Sequence, residues 1–291
     1  MANSTTADAT VLGCGLMGSA LAKALARAGK RVVVWNRTPA KAQALVGAGI
    51  SAAAVLDEAT LAAPTVMVCF TTYDDVKSTL AGAQLAAGTT LVNVTMGSPD
   101  EAVELGKWAA DKGLGYLDGA ILSYPADIDA SAGQVAFAGT TELWTRHADL
   151  LTTLAGEVVH ISDDISNANV VYVGVGAFYG SAVVALVESV SYLAAQGISP
   201  ESVISAMQAV ISLLDHQTEE TVRAIEAGSF ETDQATIAGW AEGARAAMKS
   251  ARSRGHAARM ISAASHTFDA AEAAGLGELG SAALHKISTS I

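Results

Sequence analysis

Charge is scarce in this chain, and positive charge is scarcer still. Only 16% of the 291 residues are charged, and 17 lysines and arginines stand against 29 aspartates and glutamates, a formal net charge of −12. A nucleic-acid partner is bound through a stripe of cations that neutralises phosphates. Here Lys107 and Lys112 are isolated and the cations from Arg245 to Arg259 are diluted along a helical pattern, so no such partner is expected. The two cysteines, Cys14 and Cys69, are too few for a disulfide framework and are expected as reduced thiols. The histidines, at 147, 160, 216, 256, 266 and 285, lack metal-ligand spacing, so no metal is expected, and no Gly-x-Ser-x-Gly elbow occurs. The opening MANSTTADAT has neither the basic start nor the apolar stretch of a signal peptide, which leads us to expect a cytoplasmic protein. Lysine is missing altogether between Lys112 and Lys249.

What the chain has in quantity is apolar residue, 51% of the total, enough to bury a large core and, at this length, to build two domains. Strand patterns recur at 9–13, 31–35, 65–70, 90–95, 116–122, 134–138 and 157–161, with alanine-rich helical stretches between most of them. That alternation predicts a parallel sheet covered on both faces. Thr38-Pro39, Ser98-Pro99 and Ser199-Pro200 each put a hydroxyl at a helix N-cap and proline in the first turn, and Glu101 completes a capping box with Ser98. From Ile165 onward only helical patterns remain, at 167–196, 200–214, 218–226, 235–254 and 256–274. The expected division is therefore 1–162, an interdomain helix in 163–197, and an all-α domain in 198–291.

Gly13-x-Gly15-x-x-Gly18 follows the first strand and opens a helix, the context in which this pattern binds a dinucleotide. The first glycine makes the turn, the second lets a pyrophosphate approach the backbone, and the third lets helix and strand pack closely. Cys14, Leu16 and Met17 complete that loop. The second strand then selects the cofactor. An acidic residue at its end would bind both ribose hydroxyls of NAD, but the chain reads VVVWNRTPAK. Asn36 replaces the acid, and Arg37, Thr38 and Lys41 bring a guanidinium, a hydroxyl and an ammonium to one loop and first helical turn. That is a clamp for a 2′-phosphate, and NADPH is the expected cofactor.

The run GCGLMGSALAKALARAGKRVVVWNRTPAKAQAL, followed by VMVCFTTYDDV and by LVNVTMGSPDEAVELGKWAADKGLGYLDGAILSYPADIDASAGQVAFAG, resembles successive blocks of the NADPH-dependent imine reductases, relatives of the β-hydroxyacid dehydrogenases. The resemblance is good over 9–196 and extends to the later helices only in pattern. It implies an α/β fold with an N-terminal Rossmann domain, a long interdomain helix, an all-α C-terminal domain and a domain-swapped homodimer. It implies also that Phe70, Thr71, Thr72, Val76, Asn93 and Thr95 contact the cofactor, and that Leu122, Ser123 and Tyr124 border an apolar pocket for a small imine.

Residues 165–187 carry no charge, enough to span a bilayer. A helix from Asn167 to Gln196 is about 45 Å long, more than a domain of this size can cover. Glycines 174, 176 and 180 and Asn167 and Asn169 dilute its hydrophobicity, so we expect a helix covered by a second subunit and no membrane partner. The dehydrogenases place a catalytic lysine near its start; by the resemblance that slot falls at Tyr172, whose O–H can donate or orient a proton while an iminium accepts hydride. Tyr172 as a packing aromatic is the alternative. Tyr179, Met207 and Trp240 are candidate pocket walls, the last two from the partner subunit. Two other functions remain open: a reductase of carbonyl or hydroxy-acid substrates, and an NADPH-binding dimer without turnover.

Overall fold

Runs of β-branched and aliphatic residues between glycine and proline punctuation form eight strands, and the computed structural model describes residues 7–288. In chain order these are β1 (Ala9–Leu12), β2 (Val32–Trp35), β3 (Ile50–Ala52), β4 (Thr65–Val68), β5 (Thr90–Asn93), β6 (Gly115–Ile121), β7 (Gln134–Ala138) and β8 (Glu157–Ser162). They make one sheet in the order β3-β2-β1-β4-β5-β6-β7-β8. The strands β1, β4 and β5 are buried end to end, as parallel strands covered on both faces are. The expectation of an all-parallel sheet needs correction at one edge. β7 pairs antiparallel with β6 and β8 parallel with β7, so the last two strands run against the other six. The segment 122–133 between β6 and β7 forms turns rather than a crossover helix, which permits the reversal. β3 was not expected, because three residues after a glycine turn show no period.

Helices α1 (Leu16–Arg27), α2 (Pro39–Gln43), α3 (Leu56–Thr60), α4 (Tyr73–Leu80), α5 (Pro99–Asp111) and α6 (Thr141–Leu151) cover the faces. The Ser98–Glu101 capping box forms at the start of α5. Two apolar clusters lie on opposite faces of the sheet, one around Leu21, Leu25, Phe137 and Leu151, the other around Leu12, Tyr73, Leu80 and Leu105. On the underside of α6, His147 reaches two strand hydroxyls, Thr65 Oγ1 at 3.1 Å and Thr90 Oγ1 at 2.8 Å.

The remaining elements are α7 (Asn167–Ala195), α8 (Pro200–Ala227), α9 (Ile237–Ser253), α10 (Arg259–Ala273), a 3₁₀ turn (Ser281–Leu284) and α11 (His285–Ser288). The chain divides into two units, Met1–Gly176 and Ala177–Ile291, and the division falls inside α7. Two helices expected at 200–214 and 218–226 are one continuous α8: Asp215-His216-Gln217 is polar but holds no glycine or proline, and nothing interrupts the hydrogen-bond ladder. In the second unit Phe230, Ile237, Ala271 and Ala283 form a small core. Glu188, the first charge after the apolar run, accepts from the backbone N–H groups of Arg259 at 2.7 Å and Met260 at 2.9 Å. It caps α10, whose own N-cap, Ala258, has no side chain to do so.

Only Ala168 and Asn169 of α7 are buried, and only Val203 of α8. Val173, Phe178, Val184 and Val187 of α7 and Ile204, Val210, Ile211 and Leu213 of α8 are all exposed. α7 is long and apolar enough to cross a membrane, and one chain by itself leaves it uncovered.

Burial lowers the pKa of His147, with Arg146 adding to the effect, so the folded protein binds its proton less readily than the unfolded chain. The stability tied to neutral His147 is complete above the unfolded value of about 6.5 and is lost as pH falls below it toward the lower folded value, by at most about 1.4 kcal/mol per pH unit. Thermal melts at fixed protein concentration should therefore drop between pH 7 and 5.5 more steeply in the wild type than in His147→Gln, the difference between the two isolating this group from the other acids.

Candidate active site

β1 ends at Leu12 and α1 begins at Leu16, leaving a turn that glycine alone can make. Gly13 has φ +103°, and a Cβ there would stand 2.2 Å from the Cys69 carbonyl oxygen. A Cβ on Gly18 would stand 1.9 Å from the Gly13 carbonyl oxygen. Around Gly15, by contrast, a Cβ meets nothing within 4 Å. Two glycines thus close the loop against its neighbours, and the third leaves open space before the first N–H groups of α1, where no side chain caps them. An anion fits that space.

The loop opens into a groove of about 340 Å³ that Gly13, Gly15, Leu16, Met17, Gly18, Asn36, Arg37, Thr38, Lys41, Phe70 and Thr71 line. Trp35, Cys69, Asp75 and Thr79 complete the walls. Arg37 and Lys41 are exposed and, among the described residues, have no ion-pair partner. Thr38 stands at the N-cap of α2, yet its hydroxyl makes no cap bond. Asn36 has a different task from its neighbours: Oδ1 accepts from the Cys14 N–H at 2.9 Å and Nδ2 donates to the Thr38 carbonyl at 3.1 Å. It ties the glycine loop to the cationic loop. Cys14 itself is buried and borders a neighbouring hollow, and burial pushes both thiols up to about 11, so both are protonated at neutral pH.

Val76 and Thr72 are placed otherwise than expected. Val76 is fully buried in the core, and the Thr72 hydroxyl caps α4 by accepting from the Asp75 N–H. With the cap at Thr72, residues 75 and 79 face the groove and 76 and 80 face inward. The sequence reading was one step out of helical register.

Asn93 and Thr95 lie beneath the surface rather than in the groove. The Thr95 hydroxyl accepts from the Phe70 N–H at 3.0 Å. Asn93 belongs to a buried polar cluster centred on Asp118, which is 0% exposed. Asp118 Oδ1 accepts from Tyr116 at 2.5 Å, Tyr73 at 2.7 Å and Asn93 at 3.1 Å, while Oδ2 accepts from Asn169 at 2.7 Å. Burial raises the Asp118 pKa to about 6, and the hydrogen bonds from Tyr116, Tyr73 and Asn93 hold it from rising further. It is ionised at neutral pH. Burial, and then its charge, push both tyrosines well above their ordinary range. The sequence reading missed this cluster, although an aspartate inside the apolar strand GYLDGAI is a signal, since a carboxylate there demands donors.

Tyr172 and Leu122 pack against Ala120, Ala138 and Ala168 at the first turns of α7. The Ser123 hydroxyl is engaged with the Gln134 backbone, accepting from its N–H at 2.6 Å and donating to its carbonyl at 3.1 Å. Tyr124 is exposed. In the second unit Tyr179 is half exposed, Met207 is partly buried, and Trp240 stacks on Phe268 with ring centres 6.2 Å apart. No cluster of metal-ligating side chains occurs among the described residues.

Residues 8–174 match the family model described as the NAD binding domain of 6-phosphogluconate dehydrogenase. The chain belongs to that family. Residues 164–289 match the NADPH-dependent reductive aminase-like C-terminal domain, and the two matches together bear out the resemblance to imine reductases. A curated relative, the NADPH-dependent reductive aminase of Aspergillus oryzae, is 29% identical over 160 residues, 55% of this chain and 54% of that protein. The chain thus spans about half the length of this curated relative. The imine reductase structure from Pseudomonas sp. superposes with a TM-score of 0.91 at 27% identity, covering 98% of this chain and 100% of that one. The reductive aminase of Aspergillus terreus, solved with NADPH and ethyl levulinate, shares the fold at a TM-score of 0.92 and 24% identity, covering 98% and 100%.

Gly15, which faces the open space, and Gly18, which closes the loop, should separate folding from binding. Gly15→Ala should stay within about 1 kcal/mol of wild-type stability and weaken dinucleotide binding about tenfold or more. Gly18→Ala should cost about 3 kcal/mol or more, because a backbone carbonyl occupies the space. Thermal melts and nicotinamide fluorescence titration read the two effects independently.

Proposed function

We propose that this protein reduces C=N bonds, cyclic imines or iminium ions, to amines with NADPH. The observation that carries this reading is the chemistry at the start of α7: Tyr172 stands among Ala120, Ala138 and Leu122, and the chain has no lysine between Lys112 and Lys249. A hydroxy acid oxidised by the dehydrogenase route needs a cation for its oxyanion and proton, and the lysine of that route has no counterpart in this stretch. An iminium is electrophilic already and needs an apolar wall and at most one O–H. The names of the Aspergillus oryzae relative and the Pseudomonas neighbour agree with this chemistry.

The groove suits NADPH in its donor set. Arg37 and Lys41, without acidic partners among the described residues, with the Thr38 hydroxyl that makes no cap bond, would hold the 2′-phosphate, and the open space at Gly15 would receive the pyrophosphate. When bound, NADPH supplies the hydride. Leu122 and Tyr172 would hold the substrate carbon against it, and the Tyr172 hydroxyl, which makes no hydrogen bond to another described residue, would donate or orient the proton at nitrogen.

A second copy of the chain is the cover we infer for α7 and α8. Their exposed valines, leucines and isoleucines amount to the inside of a core with no opposite wall, and an obligate dimer supplies one. Tyr179, Met207 and Trp240 would then wall the pocket, the last two from the partner. The domain-swapped arrangement and the division at 162 and 197 belong to this same proposal.

Incubation with a cyclic imine or a ketone, followed by nicotinamide absorbance, tests the activity: imine turnover is expected, and turnover of the ketone alone refutes it. Arg37→Ala should raise the NADPH KM about tenfold while leaving NADH nearly unchanged. Tyr172→Phe should slow a neutral imine by about 10²-fold and an N-alkylated iminium far less; both rates within about twofold of wild type would make Tyr172 a packing residue. Light scattering at micromolar concentration should give a dimer whose melting depends on concentration, and a stable monomer would refute the cover inferred here.

A further inference from the structure

The buried cluster around Asp118 gathers residues from four elements that meet near the start of α7: Tyr73 from α4, Asn93 from β5, Tyr116 and Asp118 from β6, and Asn169 from α7 itself. Every contact to the carboxylate is a donated hydrogen bond. Asn169 is buried and fully used as well: Nδ2 also donates to the Tyr73 hydroxyl at 2.8 Å, and Oδ1 accepts from the Gly97 N–H at 3.1 Å. Tyr172 lies three residues on, on the same side of the helix. We propose that Asp118 is a positioning residue, whose carboxylate fixes the first turn of α7 on the strand ends and so sets where Tyr172 stands. The inference rests on the role given to Tyr172 above.

Hydrogen-bond complementarity makes this position intolerant of an amide of the same shape. In Asp118→Asn one carboxylate oxygen becomes an N–H₂ group. On the Oδ2 side it meets the Asn169 N–H₂, and Asn169 cannot turn over without presenting N–H to the Gly97 N–H. On the Oδ1 side it meets the Asn93 N–H₂, and Asn93 is held by the Thr95 N–H donating to its Oδ1 at 3.2 Å. Exchanging the two groups resolves the conflict. With Asp118→Asn and Asn169→Asp together, the new carboxylate accepts from Gly97, Tyr73 and the new amide, and that amide's oxygen accepts from Tyr116 and Asn93.

The experiment compares wild type, Asp118→Asn, and the double exchange by amide hydrogen exchange over residues 167–173 and by turnover of a neutral cyclic imine. Asp118→Asn should raise exchange in that segment with the glycine loop unchanged. It should lower kcat about tenfold or more with the NADPH KM within about threefold, and the double exchange should restore most of both. Unchanged exchange, a kcat within about twofold of wild type, an NADPH KM that rises as far as kcat falls, or a double exchange no better than the single change overturns the proposal. Should Asp118→Asn not fold, the double exchange alone decides, by near-wild-type kcat or its absence. A wild type that turns over no imine refutes the functional reading and the purpose given to the anchor with it, while the exchange data still report whether Asp118 holds the turn.

Discussion

Between the carbonyl oxygen of Gly13 and the α-carbon of Gly18 there is no room for a methyl group, and the rest of the nucleotide-binding unit is arranged around that contact. It seats α1 directly on the turn that leaves β1, bringing the helix N-terminus and its uncapped N–H groups to the floor of the groove. The same turn presses Gly13 on the Cys69 carbonyl, which joins the ends of β1 and β4, the neighbours between which the strand order reverses. In a sheet of this kind that is where ligands bind. Asn36 then extends the constraint laterally, since its amide reaches Cys14 in the glycine turn and Thr38 before α2. An aspartate there has no proton to give the Thr38 carbonyl, so the amide at this position holds the loop in shape.

Much of this was legible in the sequence because the signals are local and steric. A glycine triplet after a strand, Arg37 and Lys41 after the next, and a capping box at Ser98 each specify their structure within a few residues. What was not legible depends on partners far along the chain. β3 is too short to show a period and exists because β2 offers it an edge. The break expected in α8 rested on polarity, which a surface helix tolerates. Val76 was misplaced by one step because the register of α4 is set by its cap at Thr72. The role of Asp118 needed four donors from three other elements and its own strand, none adjacent in sequence, although the lone carboxylate in an apolar strand announced that donors must exist.

The two units also differ in how they are held. The first has a sheet with a core on each face; the second relies on a small cluster around Phe230 and Ile237 and on polar latches such as Glu188 at the start of α10. A helix pair with so little of its own chain around it draws its stability from whatever it docks against.

The reversal of β7 and β8 determines where the long helix goes. Because β8 runs against β6, the chain leaves it at the end of the sheet away from the groove, and must travel back along the sheet face. Ile165 sits by Tyr116, Asn169 by Asp118, and Ala168 and Tyr172 by Ala120 and Leu122, each step of the chain into α7 matched to a step along and just past β6. The reversal of these two strands has thus turned the first turns of α7 into a ramp that rises from the base of the sheet and delivers its tyrosine at the rim. In an all-parallel version β8 would end at the rim, and a helix leaving there could have pointed anywhere.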